Sequence, residues 1–223
     1  MQIQLSEHFT FRKLLRFVLP SIIMMIFTSI YSVVDGLFVS NFVGKTALAA
    51  INLTLPIIMG LSALGFMIGT GGSAIVARML GEKKEDKANA YFSMLIYATM
   101  LGGIFLSVLG AILIPSICSL LGAKGELLSD CVLYARLSFI SMPAFMLQNV
   151  FQSFFVTAEK PHLGLFLTIG AGILNAFLDY FLIAVCRLGM TGAALATGIG
   201  QTVPALAGLL FFLSNKKGLR LVR

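Results

Sequence analysis

Charged side chains are scarce in this sequence, and their scarcity excludes an ordinary water-soluble domain. Only 11% of the 223 residues are Asp, Glu, Lys or Arg, whereas soluble domains carry roughly a quarter. The three cysteines form no CxxC pair, so a disulfide framework or a structural metal site is disfavoured. No serine, cysteine or metal constellation supports catalysis, so the sequence predicts neither an enzyme nor a cofactor.

Apolar residues are abundant: they make up 58% of the chain, and the mean hydropathy is +0.98. Six apolar segments reach about 20 residues or more, which is long enough to span a bilayer as helices. They lie near residues 14–40, 47–76, 89–115, 131–157, 163–186 and 190–213. The sequence therefore predicts an all-α membrane protein that forms one six-helix lobe, residues 1–223, in the lipid bilayer.

The net charge of +7 fits membrane orientation better than nucleic acid, because the basic residues stand between the apolar spans. With a cytoplasmic N-terminus, twelve basic residues fall inside and four fall outside: Lys45, Lys124, Arg136 and Arg187. The positive-inside rule then predicts that both termini are cytoplasmic.

Two of the nine acidic residues, Asp35 and Asp179, lie inside apolar spans. A carboxylate there costs a few kcal/mol or more unless it meets a cavity, a partner or a proton. On the predicted orientation, Asp35 lies about 7 Å and Asp179 about 10 Å below the extracytoplasmic ends of their helices. Asn175 shares a helix face with Asp179, and Thr197 reaches a similar depth. These four oxygen-bearing side chains predict a site for Na⁺ or for a shared proton.

A simpler interpretation stays open, in which each acid bonds locally or extends towards the interface. Thr197 alone is weak evidence, because a membrane threonine usually bonds its own backbone. Pro20 removes a backbone hydrogen bond from the first span and favours a bend there, although a first-turn proline near the boundary explains it equally well.

The chain resembles the multidrug and toxic compound extrusion (MATE) transporters. The resemblance rests on Pro20 and Asp35 in the first span and on the loop RMLGEKKEDKAN. It rests most specifically on NAFLDYFLI in the fifth span and GMTGAALATGIGQ in the sixth. It covers essentially the whole chain, but only the amino-terminal half of such a transporter.

The resemblance implies one lobe of a twelve-helix protein that exports organic cations and amphipathic drugs against inward Na⁺ or H⁺ flow. It implies that Asp35, Asn175, Asp179 and Thr197 form the cation site and that the first helix bends at Pro20. Tyr134, Gln148 and Gln152 are implied to line a substrate cavity. The expected location is a bacterial or archaeal plasma membrane, with a second six-helix lobe absent from this chain.

Two alternatives remain beside cation-coupled drug export. A lipid-linked saccharide flippase of the same superfamily is disfavoured, because no Lys or Arg is predicted deep in a span. A non-transporting fragment that is truncated, or that must assemble with a partner, is favoured by the missing lobe, since repeat-built transporters move one half against the other.

Overall fold

The computed structural model describes residues 11–215 and 218–222, and nearly all of them are helical. The helices are α1 (Phe11–Phe42), α2 (Lys45–Gly81), α3 (Glu85–Leu120), α4 (Gly125–Ile140), α5 (Met142–Thr157), α6 (Pro161–Asp179) and α7 (Gly189–Ser214), and a π-helix, Tyr180–Val185, follows α6 directly. No strand occurs within these ranges. The all-α class predicted from composition is confirmed.

Five helical segments are each long and apolar enough to cross a membrane: α1 from Ser21, α2, α3, α6 with its π-helix, and α7. Helices α4 and α5 pass the same test only together, as a pair bent by 55°. Counting this pair as one gives up to six spans. Each loop between successive spans is only two to four residues long, so consecutive spans run antiparallel.

Two sets of residues used in the sequence interpretation are not fully described. Lys216, Lys217 and Arg223 lie outside the described residues. The side chains of Arg12, Lys13, Arg16 and Pro20 also lie outside them, although helix α1 runs through these positions. The cytoplasmic termini and the bend at Pro20 stay predictions.

The segment predicted as one continuous span over 131–157 is instead two helices, α4 and α5, which meet at Ser141. Pro143 explains the break, because it has no N–H to donate to the carbonyl of Phe139 four residues earlier. The hydroxyl of Ser107 in α3 donates to the Phe139 carbonyl instead. The neighbouring helix thus satisfies a carbonyl that water cannot reach in a bilayer.

Residues 218–222, after α7, attach to α3. The backbone N–H groups of Arg220 and Val222 donate to Asn89 Oδ1 at 2.9 Å and to Ser93 Oγ at 2.8 Å. Leu219 is buried beside them. These contacts join α7 to α3 at the end of the bundle where α3 begins.

The core consists of two clusters of buried side chains, one towards each end of the bundle. The cluster near the start of α4 includes Tyr134, Phe139, Met142 and Ile183. The opposite cluster is rich in aromatic rings and includes Phe92, Phe151, Phe154 and Phe212. The site described below lies beside the first cluster, since Tyr134 belongs to both.

Helices approach each other closely at glycines, as is typical of membrane bundles. A Cβ atom on Gly103 of α3 would lie 2.7 Å from the Pro143 Cα of α5, and one on Gly65 of α2 would lie 2.9 Å from the Met146 Cα. Both neighbours are backbone atoms, which cannot move aside cheaply. The neighbouring Gly102 has no atom within 4 Å of its own Cβ position.

This difference between adjacent glycines predicts opposite effects of the same substitution. Gly103→Ala should lower the free energy of unfolding by about 1–3 kcal/mol, because it overpacks the α3–α5 contact. Gly102→Ala is the matched control and should be neutral or stabilising by up to about 1 kcal/mol, because alanine is the better helix former. Thermal or denaturant unfolding in detergent measures both, and equal stability of the two variants would contradict the close approach.

Candidate functional site

The two acidic residues of the apolar spans meet in the structure. Asp35 of α1 and Asp179, the last residue of α6, bring their carboxyl groups within hydrogen-bonding range of each other. The Asp179 side chain is completely buried, and Asp35 is partly buried. Helix α1 packs along α6, and this packing brings together two acids that are 144 residues apart in sequence.

The carboxyl pair is short of hydrogen-bond donors. Asp35 Oδ1 and both oxygens of Asp179 are buried and accept no hydrogen bond from any described residue. Two ionised carboxylates cannot bond to each other, since each only accepts. Two unit charges 4 Å apart repel by about 4 kcal/mol at an effective dielectric constant of 20. The arrangement can be relieved by a proton shared between the acids or by a bound cation.

A group of hydroxyls from two further helices lies near the pair. The Tyr134 hydroxyl of α4 lies within reach of the Ser138 and Thr197 hydroxyls and close to both carboxyl groups. Tyr134 is almost completely buried, and Ser138 is buried as well. The sequence interpretation assigned Tyr134 to a substrate cavity, and this assignment stays a prediction.

A small polar cavity adjoins this cluster between α5, α6 and α7. Its polar lining consists of Gln148, Thr168, Asn175, Thr197 and Gln201. It offers about 10 Å³ to the centre of a water molecule, which is room for about one water or one small ion. The buried Gln148 Oε1 has no partner among the described residues, so the cavity holds an acceptor in need of a donor or a cation.

The structure divides the predicted cation-site residues between two places. Asp35 and Asp179 face each other, whereas Asn175 and Thr197 line the cavity. The Thr197 hydroxyl donates to the Ala193 carbonyl at 3.0 Å, as the simpler interpretation expects of a membrane threonine. Its oxygen can still accept a hydrogen bond or bind a cation. Thr197 links the two places, because its hydroxyl lies within reach of Tyr134 and also lines the cavity.

The predicted substrate-cavity residues are likewise divided. Gln148 lines the polar cavity, but Gln152 does not. The Gln152 side chain donates instead to Thr168 Oγ1 at 3.2 Å. Thr168 therefore bonds Gln152 while it lines the cavity with Gln148.

Sequence reasoning missed two cavity residues, Thr168 and Gln201. Gln201 lies four residues after Thr197, and Thr168 lies seven residues before Asn175. Both spacings return to the same helix face. Helical periodicity extended from the two predicted residues could have found them.

Local backbone features position the site residues. A Cβ on Gly200 would lie 3.1 Å from the Asn175 Cβ, so this glycine lets α7 approach α6 beside the cavity. Immediately after Asp179 the α-helix gives way to the π-helix Tyr180–Val185. Such π-helical insertions are rare and frequently occur at functional sites. The sequence interpretation treated this span as an uninterrupted helix.

A cation here would depend on oxygen ligands. No group of three or more His, Cys, Asp or Glu side chains converges anywhere in the described part of the chain. Two carboxylates with hydroxyl and amide oxygens form a hard donor set, which suits an alkali or alkaline-earth cation or a proton rather than a transition metal.

Fold and site together define a class: multi-pass helical membrane proteins with ionisable groups in the bundle interior, where such groups usually mark ion or substrate pathways. Within this class, the model of the MatE family matches residues 20–181. The chain belongs to the MatE family, and the resemblance inferred from its motifs is confirmed.

Relatives and solved structures agree with this assignment. "Multidrug export protein MepA" of Staphylococcus haemolyticus (strain JCSC1435) is 31% identical over 207 residues, which cover 93% of this chain and 46% of that protein. A crystal structure of MATE in the bent conformation has a TM-score of 0.86 at 25% identity and covers 93% of this chain and 46% of that one.

An outward-facing conformation of a multidrug resistance MATE family transporter is similar with a TM-score of 0.87 at 25% identity, again over 93% of this chain and 46% of that one. The chain thus spans about half the length of the relatives it matches. The predicted architecture, a bundle equivalent to one lobe of a MATE-type protein, is confirmed.

The closeness of the two carboxyl groups, of which that of Asp179 is completely buried, predicts a strong energetic coupling between them. At alkaline pH, Asp35→Asn and Asp179→Asn should each relieve the same repulsion, so that the double variant gains little over either single one. The coupling energy should reach about 1 kcal/mol or more. Denaturant unfolding of the four proteins in detergent measures it.

The matched control pairs Asp35→Asn with Asp130→Asn in α4, an acid that does not border the pair. Its effects should add to within about 0.5 kcal/mol. Additive effects of Asp35→Asn and Asp179→Asn would show that the two carboxyl groups do not interact.

Proposed function

We propose that this chain acts as the amino-terminal lobe of a cation-coupled multidrug exporter, in which Na⁺ or H⁺ exchanges against organic cations or other amphipathic drugs. The observation that carries the proposal is the buried Asp35–Asp179 pair with its unpartnered oxygens. The membership in the MatE family and the likeness to multidrug export proteins support the same proposal.

The pair can convert ion binding into movement. When it holds a proton or a cation, the repulsion between the acids is cancelled, and α1 can stay against α6. When it is empty and ionised, the repulsion favours separation of the two helices. Helix α1 is suited to move, because most of its described apolar side chains are exposed and few of them are buried within the bundle.

The polar cavity gives the ion a second position. Gln148, Asn175 and Thr197 supply oxygen atoms next to the pair, and the cavity has room for about one water. A hydrated ion or a water-borne proton could pass through it to the carboxyl groups. Binding there is weaker than at the acids, because the cavity itself carries no charged side chain.

Drug export requires surfaces that this lobe does not provide alone. In repeat-built transporters the substrate pathway lies between two halves, which alternate between two orientations. We propose that a second six-helix lobe completes the pathway and that drug binds to the cleft between the lobes. The conformational state of α1 would then determine whether the cleft releases drug.

The proposal predicts that Asp179→Asn abolishes coupled export while leaving membrane insertion intact. In a protein that carries both lobes, cells with this variant should accumulate an ethidium-type cation as fast as cells without the transporter. Asp130→Asn is the matched control and should leave export unchanged, because this carboxyl lies away from the pair. Wild-type export by Asp179→Asn would refute the coupling role.

Reconstitution distinguishes the coupling ions. In proteoliposomes, drug movement is measured under an imposed Na⁺ gradient, under an imposed pH gradient, and with neither. Drug should move under the gradient of the ion that the pair binds. Loss of the response in Asp179→Asn is expected for whichever gradient is active. An inert wild-type protein under both gradients would favour a non-transporting, assembly-dependent role.

A further inference from the structure

A second proline in the bundle leaves a carbonyl without its helical partner, and an arginine takes the place of that partner. Pro115 of α3 has no N–H to donate to the carbonyl of Ala111, four residues earlier. Arg136 of α4 donates its Nε–H to this carbonyl across 3.4 Å. The contact explains why an arginine is tolerated within α4, eleven residues after the helix begins at Gly125.

This contact occupies only one of the donors of Arg136. A guanidinium group carries five N–H donors in a planar fork. No ion pair joins Arg136 to a described carboxylate. The terminal nitrogens of Arg136 therefore remain available, and the side chain is exposed.

The available donors face a groove on the outside of the bundle. The groove runs along α4 beside α3 and has a volume of about 520 Å³. Besides Arg136, its main lining residues are Pro115, Leu128, Val132, Leu133 and Leu137. Ser129, about two helical turns from Arg136 towards Gly125, adds a hydroxyl. A single fixed cation in an apolar groove is the complement of an amphipathic anion.

The level of Arg136 in the membrane can be read from α4. The charged residues Glu126 and Asp130 lie about 15 Å and about 9 Å from Arg136 along the helix, towards Gly125. The exposed Ile140 lies about 6 Å from Arg136 in the opposite direction. Arg136 therefore lies between the charged start of α4 and its exposed apolar end, at the edge of the hydrocarbon. Lipid phosphates lie just beyond the hydrocarbon edge, within reach of an extended arginine.

Apolar surface continues below the groove, where acyl chains would lie. Ile140 of α4 is 75% exposed, and Phe105, Val108 and Ile112 of α3 are also exposed. These side chains extend from the level of Arg136 towards the middle of the membrane. A phospholipid with its phosphate on Arg136 would place its chains along them.

We propose that the α3–α4 groove is a binding site for one phospholipid molecule, whose phosphate accepts hydrogen bonds from the terminal nitrogens of Arg136. The phosphate and the headgroup lie in the groove on the Gly125 side of Arg136, beside Leu133 and Pro115, and the acyl chains follow α3 in the opposite direction, towards the membrane centre. Arg136 then joins the Ala111 carbonyl and the lipid phosphate through one side chain. The charges beside the groove do not select a net-anionic headgroup, since Glu126 and Asp130 balance Lys124 and Arg136 there.

Native mass spectrometry of the whole chain, released from detergent, tests the site with a matched pair of lipids. The probes are phosphatidylglycerol and a diacylglycerol with the same acyl chains, which lacks only the phosphate headgroup. The wild-type chain should retain one more phosphatidylglycerol than Arg136→Gln does, and it should not retain the diacylglycerol. Equal lipid retention by the two proteins would overturn the proposal, as would retention of the diacylglycerol at the level of phosphatidylglycerol.

Two further variants separate binding from folding and from net charge. Leu133→Trp fills the groove while Arg136 stays in place, and it should also lose the retained lipid. Lys45→Gln removes the same charge at the same end of the bundle, outside the groove, and should retain the lipid. Retention by Leu133→Trp, or loss in Lys45→Gln as large as in Arg136→Gln, would contradict the site.

Free phosphate is the remaining competitor for the arginine. Inorganic phosphate at tens of millimolar should not displace the retained phosphatidylglycerol, because the acyl chains also bind the apolar surface below the groove. Displacement by inorganic phosphate would assign Arg136 to a free anion and overturn the lipid assignment.

Discussion

The constraint on which this structure depends is that polar groups inside a bilayer must find partners within the protein. Prolines bear on this constraint, because a proline inside a helix leaves the carbonyl four residues earlier without its backbone N–H partner. Pro143 frees that of Phe139, which accepts from Ser107 of α3. Pro115 frees that of Ala111, which accepts from Arg136 of α4. Helices α3 and α4 thus satisfy each other's exposed backbone, and the α4–α5 bend is stable for that reason.

The Asp35–Asp179 pair does not meet this constraint within the described residues. Three of its four carboxylate oxygens are buried without a donor, although hydroxyl groups of Tyr134, Ser138 and Thr197 lie nearby. A bundle that satisfies the freed carbonyls of Phe139 and Ala111 could have satisfied these atoms as well. Partly satisfied polar networks are costly, and a shortage of donors at this pair fits the proposed exchange of protons or cations.

The sequence predicted the parts of the fold that depend on local composition. The spans were predictable, because a backbone inside a bilayer satisfies its polar groups only in a helix long enough to cross it. Asp35 and Asp179 were recognisable because a carboxylate is costly in such an apolar run. The break at Ser141 was missed, since Pro143 is one of several prolines within spans and only the Ser107 contact makes its effect stable. The division between the acids and the Asn175–Thr197 cavity could not be predicted either, because side chains at similar depth can face different neighbours once helices pack.

Arginine and aspartate illustrate two solutions to the same problem of charge in lipid. Arg136 lies near the hydrocarbon edge, where one donor bonds the protein and the others can reach a headgroup. The guanidinium stays charged at any relevant pH, so its contribution is constant and suits a fixed anchor. A carboxyl pair in the interior can change its charge by taking up a proton or a cation. The permanent charge is therefore placed where its surroundings need not change, and the variable charge is placed where helices α1 and α6 can respond to it.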